Sequence, residues 1–341
     1  MSSPLRLLYV GPLTQGGTCL QRMNVLRELG HEVTPLDTDS FTQDHGPVLN
    51  WLLYRTCWSP AVGKLNRQFV RSVLDVQPDM VWVDKGIFLR PESLRQVRGK
   101  SRLVHYNPDD PFGPDPIGWR LFLKSIPEYD LHFVARDVNI EEYQRAGARK
   151  VLRHYWAYDR NLHRPVDISP ATHQLLGGPI GFIGDWEDRR ETSVRFLADH
   201  GQSVRIWGPN WHRHGSHPQL KIEDRGVWGE TYAQAVCSFD INLGFLRKKN
   251  RDLSTQRSIE IPACGAFLLA ERTDEHRSLF QEGKEAEFFS TDEELLDKVK
   301  YYLSHPDHRR QIAAAGLARC HSSGYSYHDR VRRMLKQVVD S

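Results

Sequence analysis

The sequence predicts an α/β protein built from two doubly wound parallel sheets in tandem. Short, near-continuously apolar runs alternate with amphipathic segments, which is the pattern of parallel strands covered on both faces by crossover helices. The alternation fails once, between about 159 and 179, and then begins again. A chain of 341 residues is long for one core and ample for two domains.

The first series opens with the apolar run Leu5 to Val10, a helix from about 17 to 29, and a strand from His31 to Asp37. Further strands are expected at Met80 to Val83, Leu103 to Tyr106, Leu131 to Val134 and Val151 to His154. Helical segments near 62–76, 91–98, 117–125 and 137–146 separate them. The stretch 159–179 carries three prolines and two glycines and reads as a linker. The second series has strands at Ile180 to Gly184, Ser203 to Trp207, Phe239 to Leu243 and Ala266 to Ala270, with helices to about 200, at 230–237, at 256–264 and on to the C-terminus. Each series is the size of a nucleotide-binding domain, whose ligands bind at the carboxyl ends of the strands, so a cleft between the two is the expected site.

Composition narrows the class. Hydrophobic residues at 39% and charged residues at 26% exclude a disordered or membrane-spanning chain. No apolar run approaches the roughly 20 residues of a spanning helix, and the start MSSPLRLLYVG has no signal-peptide layout. Stable membrane insertion is therefore not expected, and the expected location is cytoplasmic. Lys+Arg 46 against Asp+Glu 43 leaves +3, too balanced for a global nucleic-acid footprint. Cys19, Cys57, Cys237, Cys264 and Cys320 are scattered and odd in number, which supports neither a disulfide framework nor a zinc site. The histidines of Trp211-His-Arg-His-Gly-Ser-His217 lack an obvious fourth ligand and read as a solvent-facing loop, so no metal site is expected.

Gly11-Pro-Leu-Thr-Gln-Gly-Gly-Thr18 follows the first strand with the glycine spacing of a P-loop, but Gly17 stands where the phosphate-binding lysine belongs. Triphosphate hydrolysis is thereby disfavoured, and so is a dinucleotide fingerprint, which needs GxGxxG. What remains is a strand-to-helix turn at Gly16 and Gly17, either facing a ligand with its amides or serving only as a tight turn.

The stretch from Leu246 to Gly265 is richer. Five cations, Arg247, Lys248, Lys249, Arg251 and Arg257, enter a helix in which Pro262 suits the first turn. That combination fits a pyrophosphate, with a solvated basic loop as the blander reading. Asp252 and Glu260, with seven residues between them, supply carboxylates suited to sugar or ribose hydroxyls.

This arrangement resembles the E-x7-E motif of retaining glycosyltransferases of the GT-B fold, here D-x7-E running into Glu260-Ile-Pro-Ala-Cys-Gly265. RSIEIPACGAFLLAERTDEH with LFQEGKEAEFF is similar, more narrowly, to the CgeB-like group. Phe182 to Arg190, Val204 to Trp211, Asn107 to Pro111 and Ala157 to Pro165 also resemble segments of that group. The resemblance implies two Rossmann-like domains facing across a cleft: residues 1–165 as the acceptor domain, 166–324 as the nucleotide-sugar donor domain, and 325–341 as a helix packing back on the first. Val331, Met334, Leu335 and Val338 would form the apolar face of that helix.

It further implies a retaining hexosyltransferase that needs no metal or other cofactor, with a UDP-sugar as the expected donor. The acceptor would be a glycan, a protein, a nucleic-acid base or a small molecule. Glu260 would hold the donor ribose, Asp252 would approach the transferred sugar, and Arg190 with Lys248 or Lys249 would offset the diphosphate charge. Thr255, Arg257, Asn250 and Gly184 would complete the donor site, and Gly16 and Gly17 become the glycine turn of the acceptor domain. Asp109 and Asp110 would face the acceptor or cap their Asp-Pro turn, with His105 a further candidate base. Asp252 stands where the motif has its first glutamate, one methylene shorter. A sugar-nucleotide epimerase and a binding protein without transfer activity are the alternatives.

Overall fold

The computed structural model describes residues 3–42, 46–114, 118–211 and 216–340. Twelve strands are described: β1 Arg6–Gly11, β2 Glu32–Asp37, β3 Met80–Asp84, β4 Arg102–Asn107, β5 Leu131–Val134, β6 Val151–Arg153, β7 Gly178–Ile183, β8 Val204–Trp207, β9 Leu220–Ile222, β10 Phe239–Gly244, β11 Leu268–Glu271 and β12 Glu287–Phe289. They form two six-stranded sheets, ordered β2-β1-β3-β4-β5-β6 and β12-β11-β10-β7-β8-β9. Every described ladder is parallel, as the apolar runs predict.

The chain divides into two compact units. The first comprises Met1–Tyr155, Lys249–Arg251 and His328–Ser341, and the second Trp156–Lys248 and Asp252–Tyr327. In the first, β3 and β5 are buried along their whole length, whereas the edge strand β2 is largely open. Val81 and Val83 face a core closed by Leu65, Phe69 and Val73 of the helix Pro60–Val76. On the alternate positions Trp82 stacks with Tyr9, Tyr106 and Phe133 at centroid separations of 6.5, 6.1 and 6.1 Å. The C-terminal helix Tyr327–Val339 buries Val331, Met334, Leu335 and Val338, and its His328 meets Glu28 at 2.7 Å.

In the second unit, two cores use alternate residues of the same strands. Ile241, Leu243 and Leu269 belong to one, and Leu268, Ala270 and Phe288 to the other. Two strands escape sequence reading here, β9 and β12, because three residues are too few to display a period. The helices Asp39–Thr42 and Gly46–Thr56 are likewise unanticipated. The predicted linker contains a short helix, Pro170–Leu176, whose Ser169 Oγ accepts from Thr172 N at 3.1 Å.

One local reading is corrected. Pro262 lies at the sixth position of the helix Arg257–Ala263, not in its first turn, so the ladder lacks a donor there. No described helix is long and apolar enough to cross a membrane.

Candidate functional site

Because the second sheet is parallel, the segments leaving β7, β8, β10 and β11 all emerge at one edge. These are the turn 184–190, the turn 208–211, the loop 245–256 with its helix Arg257–Ala263, and the segment 272–276. The turns after β7 and β8 touch: Gly208, at φ 153°, leaves so little room that a Cβ there would stand 2.0 Å from the Gly184 carbonyl oxygen. Gly184 N donates to Trp207 O at 2.7 Å and Trp211 Nε1 to Gly184 O at 2.9 Å, which locks the pair of turns.

Arg190 lies in the first turn of the helix Asp188–Asp199 and is buried. Its guanidinium donates to Leu246 O at 3.0 and 3.3 Å and to Asp185 O at 2.8 Å, so main-chain carbonyls, not a carboxylate, hold it. Burial, followed by the neighbouring Arg257 cation, lowers its pKa to about 10. Arg257 stands against the first turn: a Cβ at Gly184 would be 3.2 Å from its Nη2. Among the described residues Arg257 has no hydrogen-bond or ion-pair partner. Two guanidiniums are therefore held near one another with no carboxylate hydrogen-bonded to either, Glu187 and Asp185 acting on Arg190 only through space, an arrangement that an anion would stabilise.

The loop leaving β10 is tied down on both sides. Glu271 accepts from Leu246 N at 2.7 Å and pairs with Lys248 Nζ at 2.6 Å, while Arg247 approaches Glu187 at 3.5 Å. Further along, Thr273 Oγ1 donates to Leu253 O at 2.6 Å, and Trp156 Nε1 to Ser254 O at 2.9 Å. Thr255 N donates to Ser258 Oγ at 3.0 Å, and Ser258 meets His276 Nε2 at 2.7 Å. Asp252 and Thr255 are both buried. Glu260, also buried, faces His163 Nε2 at 3.5 Å and lies beside the Tyr232 hydroxyl. Burial first, and then the Glu260 charge, pushes that phenol well above its ordinary pKa. Tyr232 and His163 were not legible as site residues, since nothing in their local sequence marks them.

The structure thus brings Arg190, Lys248, Arg257, Asp252, Thr255, Glu260 and Gly184 into the second unit. Lys249 and Asn250 go instead with the first unit, as does Arg251. Within that unit Arg251 closes a tight network, with Nε and Nη2 at 2.6 and 2.9 Å from Asp110 and Nη1 and Nη2 at 2.9 and 2.8 Å from Glu142. Asn139 adds a third contact to Asp110 at 2.9 Å. Burial raises the Asp110 pKa, yet Arg251 and Asn139 outweigh it, and the carboxyl stays below its usual range. Asp109 pairs with Lys85 at 3.0 Å, chiefly through which the lysine pKa rises.

The remaining candidates of the first unit lie along the carboxyl ends of β1 and β4. Gly16, at φ 79°, and Gly17 form the turn into the helix Thr18–Glu28, with Gly17 N donating to Thr14 O at 2.9 Å. His105 is wholly buried, its Nε2 3.1 Å from Lys85 O and its Nδ1 3.0 Å from His132 Nδ1. His132 Nε2 lies 2.9 Å from Ile126 O. Below these, Asp84 is fully buried and receives Arg22 at 2.6 and 2.8 Å and the Tyr9 hydroxyl at 2.7 Å. His212 and His214 of the predicted histidine loop lie outside the described residues. Among the described residues no group of three His, Cys, Asp or Glu side chains could hold a metal ion.

Two doubly wound parallel sheets in one chain, the second with a cation cluster and buried carboxylates at its strand ends, define a GT-B class of fold. Residues 189–336 match the family described as glycosyl transferase-like. Solved structures agree on the fold. Sucrose-phosphate synthase of Thermosynechococcus elongatus superposes with a TM-score of 0.71 at 11% identity, covering 98% of this chain and 99% of that one. HepE of Anabaena, in complex with UDP and glucose, gives 0.65 at 13% identity, covering 99% and 100%. A putative UDP-N-acetylglucosamine 2-epimerase of Listeria monocytogenes gives 0.56 at 12% identity, covering 98% and 95%. No curated protein matches by sequence.

Proposed function

We propose that the protein is a retaining glycosyltransferase of the CgeB-like group that moves a hexosyl unit from a UDP-sugar to an acceptor without a metal ion. The observation that carries this reading is the pair Arg190 and Arg257, one held only by carbonyls and the other unpaired. The pair lies at the strand edge where α/β ligands bind and inside the matched glycosyl transferase-like segment. In the transfer, the bond from the sugar's anomeric carbon to the diphosphate breaks, a bond to the acceptor oxygen forms, and the acceptor gives up its proton. Negative charge grows on the leaving diphosphate, and Arg190, Arg257 and Lys248 supply the opposing charge from a fixed position. Glu260 accepts the ribose hydroxyls, and Asp252 approaches the sugar. UDP is favoured as the nucleotide because the fold neighbour HepE was solved with UDP and glucose.

On the acceptor side Asp110 is saturated by Arg251 and Asn139, and His105 has both ring nitrogens occupied. Asp109, 26% exposed and paired with Lys85 at 3.0 Å, is the more accessible carboxylate to meet an acceptor, since Asp110 is 0% exposed. The likeness to a putative epimerase supports one second reading, an enzyme that uses the same donor without net diphosphate release.

The test is thermal stabilisation by UDP-glucose, UDP-N-acetylglucosamine and the GDP- and ADP-sugars, followed by UDP release with and without candidate acceptors. A shift for one base that is lost in Arg257→Ala supports the donor site. Acceptor-dependent UDP release favours transfer over epimerisation, and a flat response to every donor overturns the proposal.

A further inference from the structure

Exposed large hydrophobic side chains gather at one place in the first unit. Trp51, Leu52 and Tyr54, on the helix Gly46–Thr56, are 58%, 46% and 42% exposed, and Trp58, just beyond it, is 69% exposed. Trp51, Leu52 and Trp58 line a depression of about 830 Å³ together with the cations Arg55, Arg90, Arg120 and Lys124. Arg55 sits over the Trp51 ring at 5.3 Å, and none of the four cations has an ion-pair partner among the described residues. Glu92, the one acid of the lining, lies 3.7 Å from Arg95.

Folding alone gives no reason to leave this patch uncovered. Apolar surface in contact with water is costly, and large contiguous patches mark interaction sites. Tryptophan combined with unpaired Arg and Lys has a specific chemical match: indole rings settle at the headgroup level of a bilayer while the cations meet anionic headgroups. A protein partner would supply acids in fixed positions, whereas an anionic lipid surface offers a continuous sheet of charge over an apolar interior, which suits cations spread around two exposed rings.

We propose that the surface formed by Trp51, Trp58, Arg55, Arg90, Arg120 and Lys124 docks this protein peripherally on an anionic lipid bilayer, without any segment crossing it. This assignment is independent of the donor chemistry, because its readout is vesicle binding and not transfer.

The test is co-sedimentation of the full chain with phosphatidylcholine vesicles, with and without phosphatidylglycerol. The expected result is binding to the anionic vesicles only, weakened by added salt as charges are screened. Each cation removed should lower partitioning roughly fivefold, so Arg120→Gln/Lys124→Gln should bind about 25-fold less. Trp51→Ser/Trp58→Ser should also lose binding, while Trp228→Ser, which removes an indole 69% exposed in the second unit, should not. All five positions are at the surface, and an unchanged melting temperature confirms that each variant is folded. Equal binding to both vesicle types, no binding to either, or wild-type binding by both double variants would overturn the proposal.

Discussion

Both units pair cations with carboxylates at their strand ends, as Lys248 with Glu271 in the second, but among the described residues only the second leaves two guanidiniums without one. In the first, Arg22 meets Asp84, Lys85 meets Asp109, and Arg251 meets both Asp110 and Glu142. In the second, Arg190 is held by carbonyl oxygens and Arg257 by no hydrogen bond or ion pair at all. A buried cation neutralised by a carboxylate is already in a deep well and has little to offer a ligand. One held by dipoles keeps its charge available, which is the reason the proposed donor diphosphate is assigned to the second unit.

The comparison breaks first at its most buried pair. Arg22→Met leaves Asp84 charged and uncompensated in the core, and should cost about 3–5 kcal/mol, read as a fall in denaturation midpoint. Arg22→Met/Asp84→Leu should recover most of that loss. A small effect of the single change would mean that the first unit is not held by its ion pairs.

The opposite behaviour is expected of Arg257→Ala. With no partner to abandon, it should leave thermal stability within about 0.5 kcal/mol of wild type. UDP-sugar turnover should fall by about 10²–10³, the usual cost of removing one preorganised charge at a leaving group. Lost stability with retained turnover would reverse the assignment.

Acid should expose a further difference. Burial lowers the pKa of His105, His132 and His154 in the first unit and of His276 in the second. Their folded pKa values lie below the unfolded one, so their stability contribution is complete above about pH 6.5 and declines as the pH falls. His132, lowered to about 4, is alone worth up to roughly 3 kcal/mol across that window. Differential scanning calorimetry from pH 7 to 4 should show the first unit destabilised before the second, and simultaneous loss would count against this distribution.

The smallest effect is local. Thr273 Oγ1 accepts from His276 N at 3.0 Å and caps the helix Asp274–Leu279, so Thr273→Ala should cost about 1 kcal/mol in a denaturant titration.

Most of the fold was legible because strands buried on both faces write themselves as apolar runs, as in Met80 to Val83 and Phe239 to Leu243. The three-residue strands β9 and β12 were too short to do so. For the site, the basic run from Arg247 to Arg257 announced an abundance of cations but not their partners. Lys248 goes to Glu271, Arg251 goes to Asp110 and Glu142, and Arg257 is left unpaired. That sorting depends on residues from 23 to 141 positions away, which linear spacing cannot encode. Lys85, Tyr232 and His163 were missed for the same reason, each acquiring its role only from a distant carboxylate.

The contact between His105 and His132 has a consequence in proton stoichiometry. Each Nε2 faces a carbonyl oxygen, which only accepts, and the two Nδ1 atoms face each other at 3.0 Å. Three contacts call for three protons where two neutral imidazoles bring two, whichever nitrogens carry them. A third proton would satisfy all three contacts but would place a net charge among Phe122, Tyr129 and Tyr143, so the pair takes up that proton weakly and in a ratio of one for two histidines.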